Sequence, residues 1–260
     1  SQNVFKKINV VDFDVIISCG RKSVIPSIYL KKNTSKKIIN IHIQDPKVNL
    51  TNFNYIIAPE HDGLFGKNVF STKGAIHYLT KKEIDKNTDY LKNRLKIGKE
   101  YFLLILGGPT KHYDYSDENI LKILDLFNNL VIKNNLQGIV IPSMRTPKNI
   151  IELTKDRLSE NSLIIDSVDK KAYLSALSLA KYISVTCDST SMISEAALTG
   201  KPIYVADIPT KKNDQRFQKF KKLFHQLNVI KKLDTKLETW DYEILDETSR
   251  VAKEIKKQLT

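Results

Sequence analysis

Cysteine is almost absent from this sequence, with only Cys19 and Cys187 among 260 residues. Each closes an apolar run and neither has a partner at metal-ligand spacing, which excludes a disulfide framework and makes a reducing compartment the expectation. Glycine and proline are also few, 9 and 8, so collagen-like, mucin-like and linker-like architectures are excluded. No stretch approaches the roughly 20 apolar residues that a membrane-spanning helix needs. The opening Ser1-Gln-Asn-Val-Phe-Lys-Lys7 has no apolar run of the signal-peptide kind. The chain thus reads as neither secreted nor transmembrane, and a cytoplasmic location is expected. The five histidines show no helical two-His spacing with a carboxylate, so no zinc or other metal site is expected. Neither the Rossmann glycine fingerprint nor the Walker lysine motif occurs, which removes the main support for a nicotinamide cofactor or ATP hydrolysis. No cofactor is expected.

What is present is a globular composition, 41% hydrophobic and 27% charged, long enough for one large domain or two lobes. Forty-two Lys and Arg against 29 Asp and Glu give a net charge of +13, which favours anionic partners. Most lysines fall singly on helix faces, without arginine clusters or interleaved aromatics. The charge therefore reads as solvated surface, with no specific nucleic-acid partner.

Short β-branched runs alternate with longer amphipathic stretches, the rhythm of parallel strands joined by crossover helices. Phe13 to Ser18, Lys37 to Ile43 and Asn54 to Ala58 read as strands of a first lobe, with a helix from about Lys22 to Lys32 and a loop-rich interval from Pro59 to Gly74. A charged helix near Lys81 to Leu95 leads to a second series of strands at Tyr101, Gly138, Ser162, Tyr182 and Pro202. The intervening helices are expected near Asp117 to Lys133, after Pro147, at Lys170 to Leu179 and at Thr190 to Leu198. The predicted organisation is α/β, two Rossmann-like lobes with mostly parallel sheets: residues 1–95, residues 96–240 and a closing helix in 241–260. Arg216 to Leu227 sets Phe217, Phe220, Phe224 and Leu227 on one face and Lys219, Lys221 and Lys222 elsewhere. Such a helix can contact an anionic membrane surface peripherally, although packing on its own sheet is the stronger expectation.

The strongest local signal is the strand from Tyr182 that runs into Asp188, Ser189, Thr190 and Ser191 and then directly into a helix that Gly200 can end. A helix start offers unpaired N–H groups and the positive end of its dipole, which suits a phosphate. Plain helix capping by Asp188 or Ser189 explains the same residues equally well. Glu195, one turn inside, could reach a ribose hydroxyl. Two further turns should open on the same sheet edge. One carries Gly107 and Gly108, where backbone can approach a ligand, and the other carries Arg145, which could make charge-assisted bonds to a diphosphate. In the first lobe Arg21, Gln44 and Asp45 follow strands, as do His61 and Asp62, the best candidates there for moving a proton. Asp12 and Asp14 form a carboxylate pair, but it precedes its strand, and a metal role is not expected.

Read in order, Ser18-Cys-Gly-Arg21, Gln44-Asp-Pro46, Pro59-Glu-His-Asp62, Asn68-Val69, Gly74-Ala75, Gly107-Gly108, Arg145-Thr-Pro147, Asp188-Ser-Thr-Ser-Met-Ile-Ser-Glu195, Thr199-Gly-Lys-Pro202 and Arg216-Phe217 resemble one family. It is the elongated-mitochondria, or mitochondrial-fission, family, whose bacterial members have also been labelled nucleoside-diphosphate-sugar epimerases. The resemblance implies a two-lobed fold similar to GT-B glycosyltransferases, with a nucleotide sugar on the C-terminal lobe. By that analogy Gly107, Gly108 and Ser189 to Ser191 face the diphosphate, Arg145 neutralises it and Glu195 holds the ribose. The epimerase label fits less well, since the nicotinamide fingerprint is missing. Related chains look longer at the front, by a strand and glycine-rich turn before Asp12, so the first lobe is expected to be short. Two functions follow. One is a metal-independent glycosyltransferase that binds a nucleotide diphosphate sugar and takes its base from His61 or Asp62. The other is a non-catalytic recruitment or adaptor protein, as plant relatives that recruit a dynamin-related protein would imply.

Overall fold

The computed structural model describes residues 13–158 and 160–259, and Asp12 of the carboxylate pair lies outside them. The chain divides into two compact units, Ser1–Ala75 with Glu247–Thr260, and Ile76–Asp246.

The smaller unit holds a parallel sheet of β1 (Val15–Cys19), β2 (Ile39–Ile43), β3 (Tyr55–Pro59) and β4 (Val69–Thr72), in that spatial order. Helix α1 (Arg21–Lys32) joins the first two strands and buries Val24, Ser27 and Leu30. Strand β4 lies inside the interval expected to be loop. Its four residues are only partly buried except for Thr72, so the hydrophobic signal there is weak. The closing helix, α8 (Glu247–Leu259), belongs to this unit. Arg250 Nη2 donates to the Ser71 carbonyl at 2.7 Å, and the Lys73 N–H donates to Glu247 Oε2 at 2.7 Å, binding α8 to β4 and the turn after it.

The larger unit is built on six parallel strands, β5 (Tyr101–Leu106), β6 (Gln137–Pro142), β7 (Ser162–Ile164), β8 (Tyr182–Thr186), β9 (Ile203–Ala206) and β10 (Ile230–Lys232). Their spatial order is β10-β9-β8-β5-β6-β7. Strand order therefore reverses between β5 and β8, and the crevice at such a switch point is where open α/β sheets bind ligands. The crossovers include α3 (Asp117–Lys133), α4 (Lys148–Leu158), α5 (Lys170–Leu179) and α6 (Thr190–Ala197), followed by α7 (Gln215–Gln226). In α3 the buried set Ile120, Ile123, Leu124, Phe127, Leu130 and Val131 follows the 3–4 residue helical spacing. Phe127 and Phe102 meet with ring centroids 4.6 Å apart, both fully buried.

The compact units divide between Ala75 and Ile76, ahead of the boundary expected at residue 95, and Leu79, Ile84, Leu91 and Leu95 are buried in the core of the six-stranded unit. The closing segment likewise joins the first unit instead of standing apart. The single helix expected over Lys81 to Leu95 is α2 (Lys81–Lys86) followed by a 3₁₀ segment, Thr88–Arg94. Asn87 Nδ2 donates to the Glu83 carbonyl at 2.8 Å and Thr88 Oγ1 to that of Asp85 at 2.7 Å. Such side-chain bonds compete with the regular ladder and tighten the turn. The Leu91 N–H donates to Ser175 Oγ at 3.1 Å and Ser175 Oγ to the Thr88 carbonyl at 2.8 Å, joining this segment to α5.

Lys201 is half-buried, with its ammonium on the carbonyls of Leu177, at 2.8 Å, and Ser178. It thus closes the C-terminus of α5, and burial lowers its pKa to about 8. Phe220 and Phe224 of α7 are fully buried and Phe217 and Leu227 pack on the same core. This face is used within the unit, which leaves the cationic side of α7 as the part that solvent meets. No helix among the described residues is long and apolar enough to cross a membrane.

Replacing Phe127 by Ala removes a ring from the centre of this core and should destabilise the protein by roughly 3–5 kcal/mol. Denaturant unfolding measures it, with an unchanged dependence on denaturant concentration expected if only stability is altered.

Candidate functional site

The turns after β5, β6 and β8 meet around one buried carboxylate. The Asp188 side chain is 0% exposed. Its Oδ2 accepts from the Gly108 N–H at 3.0 Å and from Arg145 Nη2 at 2.7 Å, while Oδ1 accepts from Thr186 Oγ1 at 2.6 Å. Thr186 Oγ1 in turn accepts from the Gly107 N–H at 2.8 Å, and Arg145 Nη1 donates to the Gly108 carbonyl at 3.2 Å. Tyr115 Oη donates to the Gly107 carbonyl at 3.1 Å, and burial, then the Asp188 charge, push the Tyr115 phenol far above its usual range.

Both glycines are required by this packing. A Cβ on Gly107 would stand 2.1 Å from an Asp188 carboxylate oxygen, and one on Gly108 would stand 2.1 Å from the Arg145 carbonyl oxygen. At Gly107 and Gly108 the missing Cβ lets the neighbouring turns approach closely. Asp188 faces these turns and does not line the cavity beside them.

That cavity has a volume of about 490 Å³. Arg145, Ser189, Ser191 and Glu195, four of the residues singled out in the sequence, line it, whereas Gly107, Gly108, Asp188 and Thr190 do not. Ser189 is the N-cap of α6, its Oγ accepting from the Met192 N–H at 3.4 Å, so the capping role and the cavity wall fall on the same residue. The first N–H groups of α6 have no acceptor within the helix. Arg145 is 42% exposed as a side chain and is held at one end by Asp188. An apolar stretch of wall comes from Ile105, Ile141, Pro142, Met144 and Val168. Met144 and Val168 are 88% and 60% exposed, an uncovered apolar rim.

Glu195 is one turn inside α6, and its Oε2 accepts from Tyr173 Oη at 2.7 Å. Burial raises the Glu195 pKa; the Tyr173 hydrogen bond and the charge of His77 act against it without cancelling it. The Tyr173 phenol is raised well above its ordinary value by burial and then by Glu195. Sequence reasoning did not find Tyr173, Met144 or Val168. Tyr173 sits one residue after Ala172 in an ordinary amphipathic helix, and only the tertiary fold sets its hydroxyl on Glu195.

The first-lobe candidates lie in the smaller unit. Arg21 opens α1 and Gln44 and Asp45 follow β2. Burial raises the Asp45 pKa, but hydrogen bonds from Lys47 and the charges of Lys47 and Arg21 outweigh it and hold the carboxyl below its usual value. His61 and Asp62 form a 3₁₀ turn after β3, with His61 Nε2 3.7 Å from Asp62 Oδ1 and side chains 2% and 7% exposed. A further histidine, His42, was not singled out. It is fully buried on β2, with Nδ1 2.8 Å from Ser18 Oγ in the register position opposite, and its Nε2 has no hydrogen-bond partner among the described residues. Burial lowers its pKa against the opposing charge of Asp45. Among the described residues no group of three or more His, Cys, Asp or Glu is placed to hold a metal ion.

Two parallel α/β sheets, a shorter one of four strands and one of six with a switch-point cavity, define a GT-B-like protein. Similar solved structures include the UDP-GlcNAc 2-epimerase of Neisseria meningitidis bound to UDP-GlcNAc, with TM-score 0.56 at 15% identity over 98% of this chain and 80% of that one. The Methanocaldococcus jannaschii UDP-GlcNAc 2-epimerase gives 0.55 at 17% identity, covering 98% and 80%. These likenesses concern fold. The chain belongs to the family described as Mitochondrial fission ELM1, whose profile matches residues 3–259. It is 27% identical to an uncharacterized protein of Rickettsia prowazekii over 94% of this chain and 79% of that one. It is 23% identical to the mitochondrial fission protein ELM1 of Arabidopsis thaliana, again over 94% of this chain but 64% of the relative.

Two substitutions test the site as built. Asp188→Asn keeps the volume but removes the charge that holds Arg145, and thermal unfolding should show a loss of about 1–3 kcal/mol. Glu195 is an acid whose folded pKa lies above its unfolded one. Its stabilising contribution is therefore full below the unfolded value near 4.5 and is lost as pH rises through the raised native value. Glu195→Gln should thus gain stability relative to the parent as pH rises from 4.5, as read from paired unfolding curves.

Proposed function

We propose that the larger unit binds a nucleoside diphosphate sugar in the 490 Å³ cavity. The observation that carries this reading is the meeting of Arg145, the start of α6 and Glu195 on one cavity wall, although they come from separate parts of the chain. The diphosphate would lie against Arg145, Ser189 and Ser191, where helix-end N–H groups and a guanidinium meet negative charge. The base would lie on the apolar wall of Ile105, Ile141, Pro142 and Met144. The Glu195–Tyr173 pair would accept and donate to the ribose hydroxyls.

A metal-independent transfer reaction would add stabilisation of the departing diphosphate by the same donors. The similar solved structures are epimerases, and a shared fold does not by itself assign their chemistry, or a transfer reaction, to this chain. Burial of His61 and Asp62 in the smaller unit favours ligand binding over proton transfer as the reading the geometry supports best. Family membership favours a second reading, a recruitment protein of the mitochondrial-fission type without catalysis. The chain spans about two thirds of the length of the Arabidopsis relative, so activities of the whole relative are carried over only as part of that reading.

Thermal unfolding with uridine diphosphate sugars and other nucleoside diphosphates separates the readings. Ligand at one hundred times its dissociation constant should add about 2.7 kcal/mol of stability, and Glu195→Ala should reduce that gain. A gain undiminished in Glu195→Ala removes the ribose assignment and keeps the cavity. No gain with any nucleotide leaves the recruitment protein.

A further inference from the structure

A second cleft opens at the carboxyl ends of β9 and β10, and no residue lines both it and the cavity just described. Its volume is about 260 Å³, below the range usual for sites that enclose a drug-sized molecule. The cationic side chains on its walls are Lys221, Lys222 and Lys232, with His225, Gln218 and Val205 beside them, and Asp207 is the single carboxylate.

The fold forces these charges together. Phe220 and Phe224 anchor α7 in the core, so helical spacing leaves Lys221, Lys222 and His225 beside the cleft. Lys232 pairs in register with Val205 on the neighbouring strand. Strand alternation separates it from Lys231, which is taken up by Glu238 at 2.5 Å. Lys221 Nζ stands 3.3 Å from Asp207 Oδ1, with its side chain only 16% exposed. Lys222, His225 and Lys232 have no carboxylate partner among the described residues. Three lysines on the walls of one small cleft, with one carboxylate to offset them, repel one another less when an anion lies between them. Val205 is the single apolar residue on these walls, whereas the cavity at the β5–β8 switch has a broad apolar wall to receive a base.

We propose that this cleft binds a compact oxyanion of the phosphomonoester or diphosphate class, held by Lys221, Lys222 and Lys232 as point charges with His225 at the rim. The inference is independent of nucleotide-sugar binding in the larger cavity. Phosphate of this kind is carried by soluble metabolites and by the headgroups of anionic lipids, and the test separates the two sources.

Inorganic pyrophosphate is titrated calorimetrically into the intact protein, its Lys222→Gln/Lys232→Gln variant and a Lys219→Gln control on the exposed side of the same helix. The double variant should bind at least about tenfold more weakly and the control almost unchanged. Both lysines are exposed, and unfolding curves of the variants check that the fold is retained. Sedimentation with phosphatidylcholine vesicles, with and without phosphatidic acid, then identifies the source. Phosphatidic-acid-dependent sedimentation lost in the double variant assigns the cleft to a lipid headgroup. Pyrophosphate binding without sedimentation assigns it to a soluble phosphate. Equal weakening in the control and the double variant shows a general charge effect and overturns the site, as does absence of binding to both probes by the parent protein.

Discussion

The larger unit is organised around the Asp188 carboxylate, from which water is excluded. A buried charge is costly unless paired and hydrogen-bonded. Here the N–H of Gly108, the hydroxyl of Thr186 and the guanidinium of Arg145 together satisfy it. Those donors arrive on three separate strand–turn units, so the carboxylate fixes the mutual position of the turns after β5, β6 and β8. Gly107 and Gly108 follow from the same constraint, because the space a Cβ would fill is taken by the Asp188 carboxylate and the Arg145 backbone.

This arrangement changes the electrostatics of the neighbouring cavity. Arg145 enters it already joined to one negative charge, so it supplies directed N–H donors more than net positive charge. In the proposed reading, attraction for a diphosphate would rest as much on the start of α6 as on the guanidinium. At the other end, Glu195 is partly desolvated and shares a hydrogen bond with Tyr173. The proposed recognition there would depend on hydroxyl geometry instead of strong charge. The cleft at β9 and β10 has a different character, with lysines in excess of carboxylates and Val205 the single apolar residue on its walls.

Much of the architecture was legible because its signals are local. Strand β5, helix α3, helix α5 and strand β8 have the bounds expected from hydrophobic periodicity, since each either alternates sharply with polar flanks or is apolar throughout. Short β4 and β10, four and three residues long, were missed. Their pairing comes from neighbouring strands, and their own side chains carry little apolar pattern. The segment from Lys81 to Leu95 reads as a charged helix leading into the second series of strands, and only the tertiary structure shows Ile84, Leu91 and Leu95 buried in the core of the six-stranded unit.

Residue types at the ends of strands were enough to nominate Arg145, Ser189, Ser191 and Glu195, because a parallel sheet brings strand ends to one edge whatever the loops do. Which way each side chain turns was decided only in three dimensions. Asp188 and Ser189 are adjacent and chemically similar as helix caps, yet one is sealed under the turns and the other lines the cavity. Tyr173, His42 and the lysines around Val205 likewise acquire their surroundings from elements distant in sequence. Periodicity records which residues leave water, a property of each segment alone. Partners across the sheet depend on register and crossover packing, which no single segment contains.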